Sequence, residues 1–190
     1  IGKISIPNCR YITFKDGFAY VSSYAGPVQI DPNARLGYVA KVDTATLKVV
    51  AECPVGYQPD ELVIQGDKLY VANSGGYRVP NYDKTISVID LKTFTEEKKV
   101  DVAINLHRLE LDNYGKIWVS SRGDYYKVPS KIFVFDPKTE KVTKTLDVSC
   151  SNMTLAGDSL FVYSTEWSYI TGANTISYTV IDTKSQEVID

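Results

Sequence analysis

Residues 69–90, LYVANSGGYRVPNYDKTISVID, decide the fold of this chain. The stretch begins and ends with short runs rich in Val, Ile, Tyr and Thr, and between them lies a segment containing Gly, Pro, Asn and Asp. Branched and aromatic residues favour strands, whereas Gly, Pro, Asn and Asp favour turns and loops. We therefore predict two strands joined by a connection that is long for a hairpin.

Both runs recur along the chain. The second returns as a short strand that ends in an aspartate followed by a turn-like segment, and the aspartates are 46 or 47 residues apart: Asp43, Asp90, Asp136 and Asp182. The first returns as an aromatic residue followed by valine, at Tyr20, Tyr70, Trp118 and Phe161. A glycine-containing tight turn precedes each aromatic, and a further strand follows each aspartate turn.

Four strands in about 46 residues are the period and content of a propeller blade. Nearly continuous apolar runs, such as IFVF at 132–135, suit strands covered on both faces by neighbouring blades. No amphipathic helix pattern interrupts the repeat, which argues against α/β folds. We predict an all-β protein, a β-propeller of four-stranded antiparallel blades.

The repeat predicts a single propeller region over residues 1–190. The blades are expected at 8–56, 57–104, 105–148 and 149–190, with residues 1–7 as the last strand of a preceding blade. Because the chain starts and stops within equivalent strands, we expect the four blades to belong to a larger, seven-blade-type ring. A closed ring of four blades is the alternative.

The composition argues against several classes of function and site. The formal net charge is −2, and no basic stretch predicts a nucleic-acid partner. No apolar run is long enough for a membrane-spanning segment. Three cysteines cannot form a complete disulfide framework, and a single histidine removes most zinc sites. We predict no metal site, no cofactor and no catalytic nucleophile, and therefore a protein that is not an enzyme.

Four long connections between second and third strands are predicted at 24–37, 74–84, 122–130 and 164–174, on one face of the propeller. Long loops on a rigid scaffold commonly carry binding residues. Their aromatic residues are predicted to contact a ligand: Tyr24, Tyr77, Tyr82, Tyr125, Tyr126, Trp167 and Tyr169. The alternative is that these rings cover the edge of the core.

The five arginines, Arg10, Arg35, Arg78, Arg108 and Arg122, all fall in these connections or near the start of a first strand. Among the lysines only Lys84 and Lys127 lie in the four connections. Arginine binds carboxylate, phosphate or amide oxygen with a planar fork and stacks on aromatic rings, so this segregation favours recognition. The alternative is salt bridges between blades, with Asp31, Asp60, Glu61 or Asp124 as partners.

The repeat also aligns polar residues at the start of the innermost strands. One row is predicted to contain Arg10, Glu61, Arg108 and Asn152, and the row before it Cys9, Asp60, His107 and Ser151. These side chains are expected to converge at the channel mouth. We predict Arg10, Glu61, Arg78, His107, Arg108 and Arg122 as ligand-binding residues alongside the aromatic residues.

The motifs at 55–63 (VGYQPDELV), 69–76 (LYVANSGG) and 85–90 (TISVID) resemble the YncE-like or surface-layer propeller repeat, most closely in the second unit. The insert at 77–82, YRVPNY, is similar to that of propeller lipoproteins on the outer surface of Bacteroides-type bacteria. Some of these are BtuG-like proteins that capture cobalamin for an outer-membrane transporter. The resemblance thus implies a bacterial cell-surface or periplasmic location and a corrinoid ligand.

Together these observations predict a non-enzymatic propeller that binds a small polar or aromatic ligand on the face with the long loops. Two alternatives stay open. One is an interaction scaffold that docks an outer-membrane transporter or a surface complex. The other is a propeller-type lyase or lactonase, which requires a cluster of ionisable residues at the channel mouth.

Overall fold

The computed structural model describes residues 2–168 and 170–190, and every regular element within these ranges is a β-strand. The strands form four antiparallel sheets of four strands each, and within each sheet consecutive strands are neighbours. The structure therefore confirms the all-β class and the four-stranded repeat. None of the described residues forms a helix able to cross a membrane.

Each sheet contains four strands in chain order. The first consists of β1 (Cys9–Lys15), β2 (Phe18–Ser23), β3 (Tyr38–Asp43) and β4 (Lys48–Pro54). The second consists of β5 (Pro59–Gln65), β6 (Lys68–Asn73), β7 (Thr85–Asp90) and β8 (Thr95–Asp101). The third consists of β9 (Leu106–Leu111), β10 (Ile117–Ser121), β11 (Lys131–Asp136) and β12 (Lys141–Leu146). The fourth consists of β13 (Asn152–Ala156), β14 (Ser159–Ser168), β15 (Ala173–Asp182) and β16 (Glu187–Val188).

The tight turn before each aromatic–valine pair is a short hairpin, as the sequence predicts. Between β1 and β2 both central residues are left-handed, with φ of 51° at Asp16 and 77° at Gly17. This backbone matches the twist of the flanking strands, which explains the choice of a short polar residue followed by glycine.

The aspartate turn is a second repeated device. Oδ1 of Asp43 accepts hydrogen bonds from the backbone N–H groups of Ala45 (2.9 Å) and Thr46 (2.8 Å). The fourth residue after each of the four aspartates has a left-handed backbone: Leu47, Phe94, Glu140 and Gln186. One extra residue then bulges from β4, β8 and β12, the outermost strands of the first three sheets.

The chain divides into two compact units, Ile1–Leu109 and Glu110–Asp190. In the first unit Tyr20 and Val39 of the first sheet pack with Leu69 and Val71 of the second. In the second unit Trp118 and Val134 pack with residues of the fourth sheet, among them Leu160. The Nε1–H of Trp118 donates to Asp112 Oδ2 at 2.8 Å, so the largest core side chain has its polar atom satisfied.

One expectation was wrong. The predicted loop at 164–174 is mostly strand, because β14 and β15 pair continuously from Ser159↔Asp182 to Ser168↔Ala173. The β-branched residues Thr165, Thr175 and Ile176 prolong the ladder, and Gly172, with φ of 63°, lies in the short turn. Residues 2–7 are in no strand ladder of the described residues, and Ile4 and Ile6 pack on the outer face of the first sheet. The assignment of residues 1–7 as the last strand of a preceding blade stays a prediction, because the neighbours of such a strand would belong to that blade.

Candidate functional site

The other three long connections lie where the sequence predicts them, immediately after β2, β6 and β10. The connection at 74–84 is held rigidly by two buried side chains. Asp83 Oδ2 accepts the N–H of Tyr57 at 2.8 Å, and Oδ1 accepts the N–H of Lys84 at 2.7 Å. Gln58 Oε1 accepts the N–H of Tyr77 at 2.7 Å. Hydrogen bonds therefore fix the backbone position of Tyr77, and the connection that carries it is not a loose loop.

Gly75 is required in this connection. Its φ is 54°, and a Cβ at this position would lie 2.3 Å from the backbone nitrogen of Asp83. The NSGG stretch therefore reflects close packing of backbone on backbone, and no helix follows it that could bind a phosphate.

The connections at 24–37 and 74–84 contact each other. The N–H of Asp31 donates to the carbonyl of Tyr77 at 2.8 Å. The rings of Tyr24 and Tyr77 meet edge to face, with 6.3 Å between their centroids. Two of the predicted aromatic residues are thus brought together.

The centre of the site is Asp60, whose side chain is fully buried. Its Oδ1 accepts the hydroxyl of Tyr24 at 2.8 Å and lies 3.5 Å from Nε of Arg10. Its Oδ2 lies 3.2 Å from Nδ1 of His107. One carboxylate therefore gathers side chains from the inner strands and the first long connection, including three of the predicted ligand-binding residues.

The protonation states around Asp60 follow from these contacts. A carboxylate can only accept, so Nδ1 of His107 carries the proton in this hydrogen bond. Burial, and then the neighbouring Asp60 carboxylate, raise the pKa of Tyr24 far above its usual range. The phenol therefore stays a hydrogen-bond donor at physiological pH. The Arg10 guanidinium lies over the Tyr24 ring, with Cζ 4.7 Å from the centroid, and its side chain is 34% exposed.

A second set of contacts lies beside the first. Glu61 Oε2 accepts the backbone N–H of Leu109 at 2.9 Å, and Oε1 lies 3.8 Å from Nη1 of Arg108. Arg108 Cζ is 4.7 Å from the centroid of the Tyr11 ring, which also meets His107 edge to face at 6.1 Å. Tyr11 therefore joins the two sets.

β-Bulges position these side chains. In the first sheet the register shifts between Cys9↔Ser23 and Ile12↔Val21, and in the second it shifts in the same way between Pro59↔Asn73 and Leu62↔Val71. The residues of the two bulges are Arg10 and Tyr11 in β1, and Asp60 and Glu61 in β5. Bulges redirect side chains at sites, and here they turn consecutive residues out of the normal alternation.

The bulges also correct the predicted alignment. Because Cys9 corresponds to Pro59, and Ile12 to Leu62, Arg10 is equivalent to Asp60 and Tyr11 to Glu61. The sequence alignment paired Arg10 with Glu61 and was therefore wrong by one residue. Arg10 and Asp60 occupy equivalent positions in adjacent blades, which explains why they form an ion pair.

The remaining predicted residues of the first unit lie close to the loop backbone. Arg78 Cζ is 3.5 Å from the centroid of Tyr57, and Nη1 donates to the carbonyl of Asn81 at 3.0 Å. Arg78 therefore stabilises the connection at 74–84. Tyr82 is half-buried in the same connection.

The predicted residues of the second unit are presented differently. Tyr125 and Tyr126 are exposed, and Asp124 Oδ1 fixes their turn by accepting the N–H groups of Tyr126, Lys127 and Val128. Arg122 is half-buried at the start of this connection. Trp167, predicted in a loop, is exposed on β14 opposite Asn174. Tyr169 lies outside the described residues.

The sequence prediction missed two residues of the site, Asp60 and Tyr11. The repeat places Asp60 in the row expected to converge at the channel mouth and offers it as a salt-bridge partner, but not as a ligand-binding residue, yet in the structure it assembles the others. The available signal was a charged residue at the start of an innermost strand, where an apolar residue would pack better. Tyr11 had no signal, because only the bulge turns it towards His107 and Arg108.

The site contains two guanidinium groups and two carboxylates, so these four charges cancel. The exposed part of Arg10 can donate hydrogen bonds, and the rings of Tyr11 and Tyr77 offer apolar faces. Within residues 2–168 and 170–190, no group of three or more His, Cys, Asp or Glu side chains is placed to hold a metal ion. The arrangement is suited to polar recognition.

No protein family matches this chain, and no curated protein matches it. Among solved structures, the chain is similar to hydrazine synthase of Kuenenia stuttgartiensis, with 21% identity and a TM-score of 0.73, over 100% of this chain and 50% of that one. It is also similar to the dihydro-heme d1 dehydrogenase NirN in complex with DHE, with 15% identity and a TM-score of 0.63, over 97% of this chain and 37% of that one.

The fold is therefore that of a β-propeller. At these identities the likeness shows the fold alone, since one propeller scaffold serves many unrelated functions. The chain spans half the length of the hydrazine synthase chain and less than half that of NirN.

Proposed function

We propose that this propeller region binds a small polar ligand with a large ring surface, without catalysing a reaction. The observation that carries the proposal is the buried Asp60 carboxylate, which holds Arg10, Tyr24 and His107 in one arrangement. Arg10 is anchored through Nε and stacked on Tyr24, so the rest of its guanidinium is oriented before a ligand arrives. Such preorganisation lowers the entropic cost of binding.

A buried ionic cluster adds little net stability to a fold compared with apolar residues in its place. Removing charges from water costs several kcal/mol per ion, and apolar residues of similar volume often stabilise a protein as well or better. A fully buried aspartate on an innermost strand is therefore poorly explained by packing alone. Positioning Arg10 for recognition gives the cluster a role.

The ligand class follows from the charge balance. Arg10 and Arg108 already face Asp60 and Glu61, so a polyanion would have to compete with these carboxylates. Amide oxygens can accept hydrogen bonds from guanidinium groups without that competition, while aromatic faces cover a ring system. A corrinoid, an amide-bearing macrocycle, combines both properties and is the ligand we propose. The proposal includes a location at the bacterial cell surface or in the periplasm.

Calorimetric titration of the chain with cyanocobalamin tests this proposal. We expect saturable binding that weakens at least about tenfold in Arg10→Gln and Arg108→Gln, the loss of about one strong hydrogen bond each. Lys48→Gln, which removes an exposed cation from β4 away from the cluster, serves as the charge-matched control and should bind like the unaltered chain. Absence of any heat at high micromolar ligand, or equal loss in all three variants, would contradict the proposal.

A second candidate is a protein-docking scaffold, favoured by the exposed pair Tyr125 and Tyr126 in the second unit. Tyrosine is enriched in interaction hot spots, and the Asp124 turn holds this pair in a defined conformation. An outer-membrane transporter or a surface complex is the partner we propose for such a role.

A further inference from the structure

The two long connections that contact each other carry one arginine each, Arg35 and Arg78. In the part of the chain that the structure describes, Arg10 and Arg108 each lie beside a carboxylate, whereas neither Arg35 nor Arg78 does. A guanidinium group that is held in place without a counter-ion is suited to binding an anionic group from outside the protein.

Arg78 is held by its surroundings although it has no counter-ion. Its Cζ lies 3.5 Å from the centroid of the Tyr57 ring, and its Nη1 donates to the carbonyl of Asn81 at 3.0 Å. Its Nε is buried, and no described residue accepts a hydrogen bond from it. The Nη2 group likewise makes no hydrogen bond within residues 2–168 and 170–190. The guanidinium therefore has a fixed position and donors to offer.

The other charges of the two connections are already engaged. Oδ1 of Asp31 accepts the N–H of Asn33 at 2.8 Å, and both oxygens of the buried Asp83 accept backbone N–H groups. Lys84, the remaining cation, pairs with Asp101. Because the backbone takes up the two carboxylates, the arginines of these connections stay unneutralised, on a chain whose formal net charge is −2.

Both arginines adjoin the ring pair of the proposed site. Nη2 of Arg35 donates to the carbonyl of Ala25, the residue that directly follows Tyr24. Arg78 directly follows Tyr77, whose ring meets that of Tyr24 edge to face. Each ring of the pair thus has an unneutralised arginine in its neighbourhood. A ligand that covers these rings would bring an attached anionic group near the two cations.

We propose that Arg35 and Arg78 form an anion subsite that binds a phosphate or carboxylate group carried by the ligand. The subsite rests on the proposed function, because it assigns a second part of the same ligand to the same surface. The Asp60 cluster binds neutral amide groups, since its own charges cancel, whereas the two connections bind the anionic group, since their arginines lack counter-ions. The planar fork of arginine donates parallel hydrogen bonds to either oxyanion.

Calorimetric titration with two corrinoids tests the subsite. Cyanocobalamin carries a phosphodiester, whereas dicyanocobinamide has the same corrin ring and amide groups without the phosphate. Arg35→Gln and Arg78→Gln should each weaken cyanocobalamin binding about tenfold, the loss of one charged hydrogen bond, and leave dicyanocobinamide binding unchanged. Arg10→Gln should weaken the binding of both corrinoids. Lys48→Gln, at an exposed cation of β4, is the charge-matched control and should change neither.

Inorganic phosphate separates a group carried by the ligand from a free anion. Added phosphate should weaken cyanocobalamin binding by competing for the two arginines, and should leave dicyanocobinamide binding unaffected. If neither corrinoid binds, the proposed function fails, and titration with phosphate alone then decides on the subsite. Heat of phosphate binding that disappears in Arg35→Gln and Arg78→Gln supports an anion site, and absence of heat overturns it.

Two further results would overturn the subsite and leave the proposed function intact. Arg35→Gln and Arg78→Gln could bind cyanocobalamin as tightly as the unaltered chain. Alternatively, both variants could lose affinity for the two corrinoids equally, which would mean that these arginines only shape the connections.

Arg78→Lys separates the charge from the structure of the connection. Lysine keeps the positive charge but lacks the planar group that stacks on Tyr57. The variant should retain part of the preference for cyanocobalamin over dicyanocobinamide that Arg78→Gln loses. If Arg78→Lys and Arg78→Gln show the same preference, the charge at this position does not bind the anionic group.

Discussion

The aspartates of this protein include two kinds with different structural roles. The repeated aspartates, Asp43, Asp90, Asp136 and Asp182, bind backbone N–H groups two or three residues ahead in their own turns. The oxygens of Asp60 instead meet Arg10, Tyr24 and His107, whose side chains are distant from it in the sequence. The first kind shapes one turn, and the second connects two blades and a strand of a third.

The difference shows how a repeat protein separates scaffold from site. A residue that recurs at every period serves something that every period needs, here the last turn of each sheet. A residue that occurs once, at a position where other blades carry Arg10 or His107, can serve a role confined to one place. The energetic consequences of removing the two kinds of carboxylate should differ accordingly.

The strongest test of the comparison is Asp60→Ala. The substitution leaves the Tyr24 hydroxyl and His107 Nδ1 without their acceptor and Arg10 without its counter-charge, and removing one partner of a buried ionic contact costs about 3–5 kcal/mol. Urea unfolding at neutral pH measures the change in the free energy of unfolding. Asp43→Ala is the matched control and should lower stability much less, because water replaces its lost hydrogen bonds. Equal losses would erase the distinction between the two kinds of aspartate.

A smaller effect is expected for Tyr24→Phe, which keeps the ring and removes only the donor to Asp60. A hydrogen bond to a charged group contributes about 1.5–3 kcal/mol, and the carboxylate retains Arg10 and His107. We expect a loss of about 2 kcal/mol in urea unfolding. Tyr20→Phe, at a buried tyrosine whose ring packs with Phe94, should lose less. If the two variants are equally stable, the Tyr24 hydroxyl adds nothing to the cluster.

The smallest effect concerns the repeated aspartates and pH. A hydrogen bond from Lys68, and then backbone N–H groups including that of Thr93, lower the pKa of Asp90 from its ordinary 3.8 to about 2. Because the folded carboxylate keeps its charge below the pH at which the unfolded one is protonated, its stabilisation is complete above pH 3.8 and is lost as the pH falls towards 2.

In Asp90→Asn this contribution is absent at every pH. The decrease in urea midpoint on acidification through that interval should therefore be smaller than in the unaltered chain, by an amount that added salt reduces. An identical acid profile for the two proteins would show that the Lys68–Asp90 pair contributes nothing to acid stability.

The repeat could be predicted from the sequence because its determinants are local. Hairpin turns need left-handed residues such as Gly17, aspartate turns need a carboxylate two residues before an N–H group, and both requirements recur at a constant interval. The prediction of a loop at 164–174 failed for a related reason. The turn does lie within the predicted segment, at Gly172, but nothing local showed that β14 and β15 would continue to pair up to it.

Only part of the site could be predicted from the sequence. Arg10, Tyr24, His107 and Arg108 were identified by residue type and position, and the structure brings them together. Asp60 and Tyr11 were missed, and Arg10 was aligned with the wrong partner. A bulge adds one residue to a strand without changing its composition, so the offset is invisible until the cross-strand register is known.

By itself the sequence determined four sheets, their turns, their order and the places where three of the four predicted long connections leave the strands. Local backbone preferences and a constant spacing are sufficient for that. Only the tertiary structure decided that Asp60 is the centre of a cluster, that Arg78 supports its own loop, and that Phe161 is uncovered where Trp118 is buried. These properties depend on contacts between residues far apart in the chain, and the free energy of a buried charge or an apolar face is set by its surroundings rather than by its neighbours in sequence.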